Sequence, residues 1–448
     1  MGLLFTYILT YGGAAVSLFN PFVGLLVYVC FSIIKPESLW FWSVPEGNYS
    51  RIVAIAMLLG WVIHLASAGI TRRPILRSPR ETDPSNISPR QAPSQLLWQR
   101  GSAWDVALCF IAFWLWAVVS GLNAPNTVLA FDFVEAIGKI LLPFLVGITT
   151  VNSVGRARTL VWVMTLSEAY VAWEMNLSYF QGYNRIYFDG FGGMDNNSLA
   201  ISFVTGVGLA FFLGYAADKW WQTGIALLAA LIMLHAVFLS FSRGGMLALV
   251  VMAGVSFILI PKRPKHYLLF LVILLIGFRL AGNQVISRFD TIFVNAEVRD
   301  SSAQSRLDLW ADLWDVMQRN PVLGVGPHHW PVIAPDYGWP PGKEGHSLWL
   351  QTGAELGFPG LALLALFYGL CITRLWPLSR SSLAGTTPWD RDVAQMVIAA
   401  LIGFIVAAQF VSLWALEIPY YVVLLGGAAL RIHTQTRSAA PLMSRSNG

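Results

Sequence analysis

Arg243, Arg306 and His346 are the residues of this chain whose types and surroundings best fit chemistry. Arg243 sits in Ser242-Arg243-Gly244-Gly245, where one apolar run meets the next. Arg306 belongs to Ser305-Arg306-Leu307-Asp308-Leu309-Trp310, inside a polar break between Gly282 and Ser347. His346 closes that break, and Glu355 follows inside the next apolar run. A guanidinium grips a phosphate with paired hydrogen bonds. An imidazole, with an ordinary pKa of about 6.5, suits removal of a proton from a hydroxyl. Two arginines and a histidine meeting at one membrane face point to an anionic, lipid-borne substrate.

Each of these residues also has a plainer role open to it. Arg243 can snorkel to the interface. Alternatively, Gly244-Gly245 would let a backbone or head group approach closely, and a helix starting there would add the partial positive charge of its N-terminus. Arg306 can pair with a neighbouring aspartate. His346 can be a structural residue before an apolar run. Glu355 lies nine residues after it, which at about 100° per residue is the opposite helix face. Glu355 is therefore a poor direct partner for His346 and is expected to take Arg243 or Arg306 as a counter-charge. Asp195 and Asn197 can cap a helix or touch a sugar. Arg185, among Tyr183, Tyr187 and Phe188, fits carbohydrate stacking or an interfacial aromatic belt. His328-His329 lacks a third ligand at metal-site spacing, so no metal is expected.

The elements that must position these residues are membrane helices. The chain has 448 residues, 56% hydrophobic and 12% charged, with mean hydropathy +0.60. Soluble domains carry about 25% charged residues. Cys30, Cys109 and Cys371 lie in apolar runs and look like small buried hydrophobes. The net charge of +5 fits basic loops facing anionic lipid and needs no nucleic acid.

Measured against the roughly 20 residues a spanning helix needs, the runs near 3–18, 21–34, 51–69, 103–121, 129–149, 159–177, 198–215, 222–241, 245–260, 267–282, 348–372, 394–413 and 418–432 give 12 or 13 spans. The first two break near Asn20-Pro21. Residues 71–102 hold six arginines and five prolines and predict a cytoplasmic linker. Short basic connections at Arg156, Lys262, Arg374 and Arg431 fall on the same side if the path alternates. The N-terminus, residues 178–196, the Arg243 junction and the loop 283–346 then lie outside. Within that loop Leu307, Trp310, Leu313, Trp314 and Met317 recur at helical spacing, which predicts a surface helix with this stripe turned to the membrane. The expected divisions are N-terminal helices over 1–177, a second set over 178–432 and a cytoplasmic tail over 433–448.

The order of motifs resembles the O-antigen ligase and polymerase superfamily. It runs from SRGG (Ser242 to Gly245) through SAQSRLDLW (Ser302 to Trp310) and NPVLGVGP (Asn320 to Pro327) to HSLWLQTGAELGFPG (His346 to Gly360). The segments from Ser17 to Trp42 and from Met194 to Ala200 look most like O-glycosylation ligases of exosortase systems. The resemblance implies an all-α GT-C-type glycosyltransferase in the bacterial inner membrane, needing no metal or other cofactor. It would move a glycan from undecaprenyl diphosphate to a lipid A core or protein acceptor at the periplasmic face. It also implies that Arg243 and Arg306 bind the diphosphate and that His346 is the base. A polymerase extending glycan on its carrier is the alternative within the superfamily. A solute transporter is the alternative outside it, and that would place its polar residues near the bilayer midplane.

Overall fold

Every named element among the described residues is a helix. Apolar runs of this length demand it, because hydrocarbon offers no partner to an open backbone N–H or C=O. The computed structural model describes residues 2–71, 103–262, 301–380 and 386–444, with scattered positions between 264 and 275. Most of the expected linker, most of the expected span near 267–282, and residues 283–300 lie outside the described residues.

The main helices are α1 (Gly2–Phe19), α2 (Pro21–Ile34), α3 (Tyr49–Thr71), α4 (Ala103–Leu122), α5 (Thr127–Thr150), α6 (Val154–Phe180), α7 (Asn196–Tyr215), α8 (Trp220–Leu239) and α9 (Arg243–Leu259). They continue with α10 (Ser301–Arg319), α11 (Leu348–Leu375), α12 (Pro388–Ala407) and α13 (Ile418–Ser444). Seven are long and apolar enough to cross a membrane by length and composition, counting α2 as extended to Leu39: α1, α2, α3, α4, α7, α8 and α11. Helices α5, α6, α12 and α13 have 24, 27, 20 and 27 residues, which also suffices for a bilayer. The chain is an all-α polytopic membrane protein. Asn20, at φ −137°, separates α1 from α2, where Pro21 opens the second helix. The last helix runs to Ser444, so residues 433–444 of the expected tail are helical.

Consecutive helices alternate in direction. At one end the Asn126 N–H that opens α5 donates to His329 Nε2 (3.0 Å). There too, the Leu348 N–H at the head of α11 donates to the Ala408 carbonyl beyond α12 (2.9 Å), and the Asn196 amide at the head of α7 donates to the Ser240 carbonyl after α8 (2.8 Å). At the opposite end Arg431 donates to the Ile148 and Thr149 carbonyls that close α5 (2.7 and 2.8 Å). Arg374 pairs with Asp105 (3.0 Å) and Arg158 with Asp218 (3.2 Å). The basic connections thus gather at the end away from Arg243 and His346.

Helix α7 is the core of the bundle, with nearly all of its residues buried. Gly208 lets it approach α12 so closely that a Cβ there would stand 3.0 Å from the Ala400 Cα. Glu135 and Lys139, two of the exposed charges on α5, pair at 2.7 Å, one turn apart.

Helix α10 forms as expected, but its buried face is rotated from the expected stripe, keeping Leu313 and Met317 and, in part, Trp310. Leu309, Leu313, Val316 and Met317 are buried, while Leu307 and Trp314 are 44% and 45% exposed. The buried stripe packs against Trp330, Ala334 and Ala354. The helix therefore rests on the protein, and the kinked head of α11 sets its rotation.

Candidate active site

Four segments meet at the end away from the basic connections. The first is the turn into α9. Phe241 adopts a left-handed backbone (φ +52°), unusual for a bulky residue. The Ser240 hydroxyl accepts the Ser242 N–H (3.1 Å), and the Ser242 hydroxyl caps the helix by accepting the Gly245 N–H (3.2 Å). Asn184 and Asn196 donate to the Leu239 and Ser240 carbonyls (2.9 and 2.8 Å). These bonds fix Arg243 as the first residue of α9. The glycines after it do not hold space for a head group. A Cβ at Gly244 would strike the Phe410 ring at 2.7 Å, and one at Gly245 the Ala200 Cβ at 2.7 Å. They let α9 dock against its neighbours.

The second segment is the head of α7. Asp195 Oδ1 accepts the Ser198 N–H (2.8 Å), and its other oxygen accepts from the Asn197 amide (3.2 Å). Asp195 is thus a helix cap whose charge also acts on Arg306 and His346. Arg185 is committed elsewhere: it donates to the Ser38 carbonyl (3.0 Å) and lies over the Phe41 ring (5.7 Å). Nearby, the Tyr183 hydroxyl donates to Asp189 (2.6 Å).

Arg306, the third element of the site, projects from the first turns of α10. Three acidic residues of that helix are occupied by others. Asp308 accepts from Gln304 (3.0 Å), Asp312 from the Trp339 indole (2.8 Å), and Asp315 pairs with Arg319 (2.7 Å). Burial, and then the adjacent Arg243 charge, push the Arg306 guanidinium below its ordinary range, while Asp195 pulls it back up. The two arginines expected to act together are close enough to repel.

The last segment is the loop into α11. His346 has φ +48°, again left-handed, and Ser347 caps α11 by accepting the Leu350 N–H (3.3 Å). Burial, then Lys343 and Arg306, depress the His346 imidazole to about 4, against a smaller upward pull from Asp195. Arg243, Arg306, Asp195 and His346 are therefore one electrostatic unit assembled from three separate helix heads and α10.

Glu355 departs from the expected ion pair. Its oxygens accept the N–H groups of His328 (2.9 Å) and Trp330 (3.2 Å) and the Gln351 amide (2.9 Å). Among the described residues no arginine pairs with it. The Gln351 carbonyl oxygen in turn accepts the Gly345 N–H (2.8 Å), immediately before His346. Gln351 escaped the sequence reading, since a side chain serving a loop N–H has no characteristic spacing. Glu344, with its carboxyl pushed up mainly by burial, and Lys343 were likewise not singled out as site residues from the sequence.

The kink at Gly357 (φ +69°), with Pro359 after it, opens the ladder of α11. The Ala354 and Glu355 carbonyls accept the Val325 and Gly326 N–H groups (both 3.0 Å), and the Phe358 N–H donates to Pro321 (2.9 Å). This is how the NPVLGVGP segment docks. His329 uses both ring nitrogens, donating from Nδ1 to the Pro327 carbonyl (2.8 Å) and accepting from Asn126 at Nε2. No group of three or more potential ligands among the described residues is arranged to hold a metal.

No curated protein sequence matches the chain. Residues 228–365, which include Arg243, Arg306, His346 and Glu355, match the family model described as O-antigen ligase, and this match places that segment in the O-antigen ligase and polymerase superfamily.

Proposed function

We propose that the protein is a GT-C-type membrane glycosyltransferase that takes a glycan from undecaprenyl diphosphate and passes it to an acceptor hydroxyl, as an O-antigen ligase would. One observation supports the residue roles: Arg243 at the head of α9, Arg306 on α10 and the half-buried His346 before α11 share one end of the bundle, with the Arg243 charge acting on Arg306 and the Arg306 charge on His346. Like charges in one partly desolvated site leave room for an anion of high charge. A diphosphate at the lipid surface has that charge and fits the bidentate geometry of guanidinium groups.

In the proposed reaction the acceptor oxygen bonds to the anomeric carbon while the bond from that carbon to the diphosphate oxygen breaks. The acceptor proton passes to His346, and negative charge grows on the departing polyprenyl diphosphate, where Arg243 and Arg306 stabilise it. Attack opposite the leaving group inverts the anomeric centre. No metal is needed, because two guanidinium groups supply the charge that a cation would. Glu355, through Gln351, holds the backbone on which His346 stands. Asp195 offsets part of the positive charge. The basic connections at the opposite end, which the positive-inside rule assigns to the cytoplasm, support a site facing the periplasm from a bacterial inner membrane.

The test is glycan transfer by purified protein supplied with lipid-linked donor and an acceptor, either a lipid A core or a protein. His346→Ala should lose at least about a hundredfold in rate, the lower end of general-base catalysis, with insertion and melting unchanged. Full transfer by that variant would remove His346 as the base. Lengthening of glycan on the donor lipid without acceptor would replace ligase by polymerase.

A further inference from the structure

The end of the bundle away from Arg243 holds a second arginine-lined site. A cleft of about 400 Å3 opens between the close of α9, the turn after α11 and the first turns of α12. Arg380, Arg391, Ser379, Gln395 and Trp376 line it, with Ile258 and Leu259 on its apolar side. Arg380 is exposed and lies over the Trp376 ring at 5.5 Å. Among the described residues no carboxylate stands within ion-pair distance of it. Arg391 is partly neutralised, donating from Nε and one terminal nitrogen to Asp392 Oδ1 (both 3.1 Å).

Gln395 adds an independent constraint. Its side chain is 1% exposed, and its amide nitrogen donates to the Leu259 and Ser379 carbonyls, each at 3.0 Å. Those two bonds fix which way the amide points. Among the described residues no donor reaches the buried amide oxygen. Buried polar atoms are almost always paired, and Gln395 lines the cleft, so a donor entering beside it would pair this oxygen.

The cleft therefore asks for three things at once: an anion for Arg380, a hydroxyl or ammonium donor for the Gln395 oxygen, and an apolar stem for Ile258 and Leu259. We infer that it binds the headgroup of an anionic glycerophospholipid, a phosphodiester carrying a hydroxyl, drawn from the leaflet at the basic end of the bundle. Phosphatidylglycerol has this chemistry. Phosphatidylcholine has neither net charge nor a donor. Soluble glycerol phosphate has the polar groups without the acyl chains. The site lies at the other end from the glycan-transfer residues and does not depend on their assignment.

The experiment is native mass spectrometry of the full chain in detergent, titrated separately with phosphatidylglycerol, phosphatidylcholine and glycerol 3-phosphate. Phosphatidylglycerol should bind with one saturable site. Arg380→Gln, at an exposed position that should not disturb folding, should weaken that site by about tenfold, the loss of one charge-assisted contact. Arg380→Lys should retain most of the affinity. Equal binding of phosphatidylcholine, or no change in Arg380→Gln, would overturn the inference. Equal binding of glycerol 3-phosphate would overturn the lipid as the source. Arg391→Gln supplies a second arm, because it removes the second guanidinium lining the cleft. Unaltered binding in that variant would likewise count against the site.

Discussion

The Arg243 charge works against the Arg306 guanidinium, and in the proposed reaction a bound diphosphate would relieve that repulsion. The same field acts on His346, which sits at about 4 chiefly through burial, with Lys343 and Arg306 adding to the shift. A depressed histidine stays neutral as pH falls and loses its function only when pH passes through its own lowered pKa. In the proposed reaction, donor binding would bring negative charge beside it and move that pKa back up. Accordingly kcat/KM, which reports the free enzyme, should hold until pH approaches about 4, whereas kcat, which reports the donor-loaded enzyme, should fall at higher pH. Coincident acid limbs near the ordinary histidine value of about 6.5 would contradict this picture. Arg306→Ala should raise the His346 pKa by part of the gap only, since burial is the larger cause. The pH dependence of His346 modification by diethyl pyrocarbonate, which needs neutral imidazole, measures that change without relying on activity. Arg243→Lys keeps the charge but loses the paired geometry, and should cost about 1.5 to 3 kcal/mol in kcat/KM, the worth of a hydrogen bond to a charged group. Undiminished kcat/KM would reduce Arg243 to an interfacial anchor.

At the scale of elements, the kinked head of α11 organises the site. Its buried Glu355 accepts from two loop N–H groups and from Gln351, which holds the N–H before His346. Glu355→Ala strands three donors, two of them buried at about 1 to 3 kcal/mol each, so it should lower the melting temperature sharply. Glu355→Gln keeps one acceptor and the shape. It should lower kcat more than the donor KM, because it loosens the loop that carries His346 without touching the arginines. A rise in KM with kcat unchanged would argue for direct substrate contact. Gly357→Ala should be severely destabilising, since its Cβ would lie 2.2 Å from the Val322 carbonyl oxygen at φ +69°. The sequence made part of this visible. Arg243, Arg306 and His346 stand in ordered motifs, and apolar runs mark most helices. Hidden were the facts that depend on which elements touch: the stripe buried by α10, the glycines serving α9 packing, and the amide partners of Glu355. Periodicity states that a helix has an apolar face, but only packing decides whether lipid or protein covers it.

For the whole molecule, charge asymmetry and the position of the site make one claim. Arg156, Arg158, Lys262, Arg374 and Arg431 belong to connections at one end, and Arg243, Arg306 and His346 to the other. Basic residues are retained on the cytoplasmic side during insertion, so the arginine pair and histidine should face outward. The exposed Gln181 closes α6 at the site end, and the exposed Lys219 opens α8 at the basic end. The native Cys109 and Cys371 are buried and give little background; Cys30, only partly covered, is best replaced by Ala. In spheroplasts a membrane-impermeant maleimide should label Gln181→Cys at once and Lys219→Cys only after permeabilisation. The reverse pattern would put the site in the cytoplasm, where the donor would have to be used before export. A transporter makes a further distinct demand, since its polar residues must become reachable from both sides in turn. Cysteines placed beside His346 that label from the outer face alone, with or without donor lipid, favour an enzyme that works at one surface. Labelling that switches sides when substrate is added would favour alternating access.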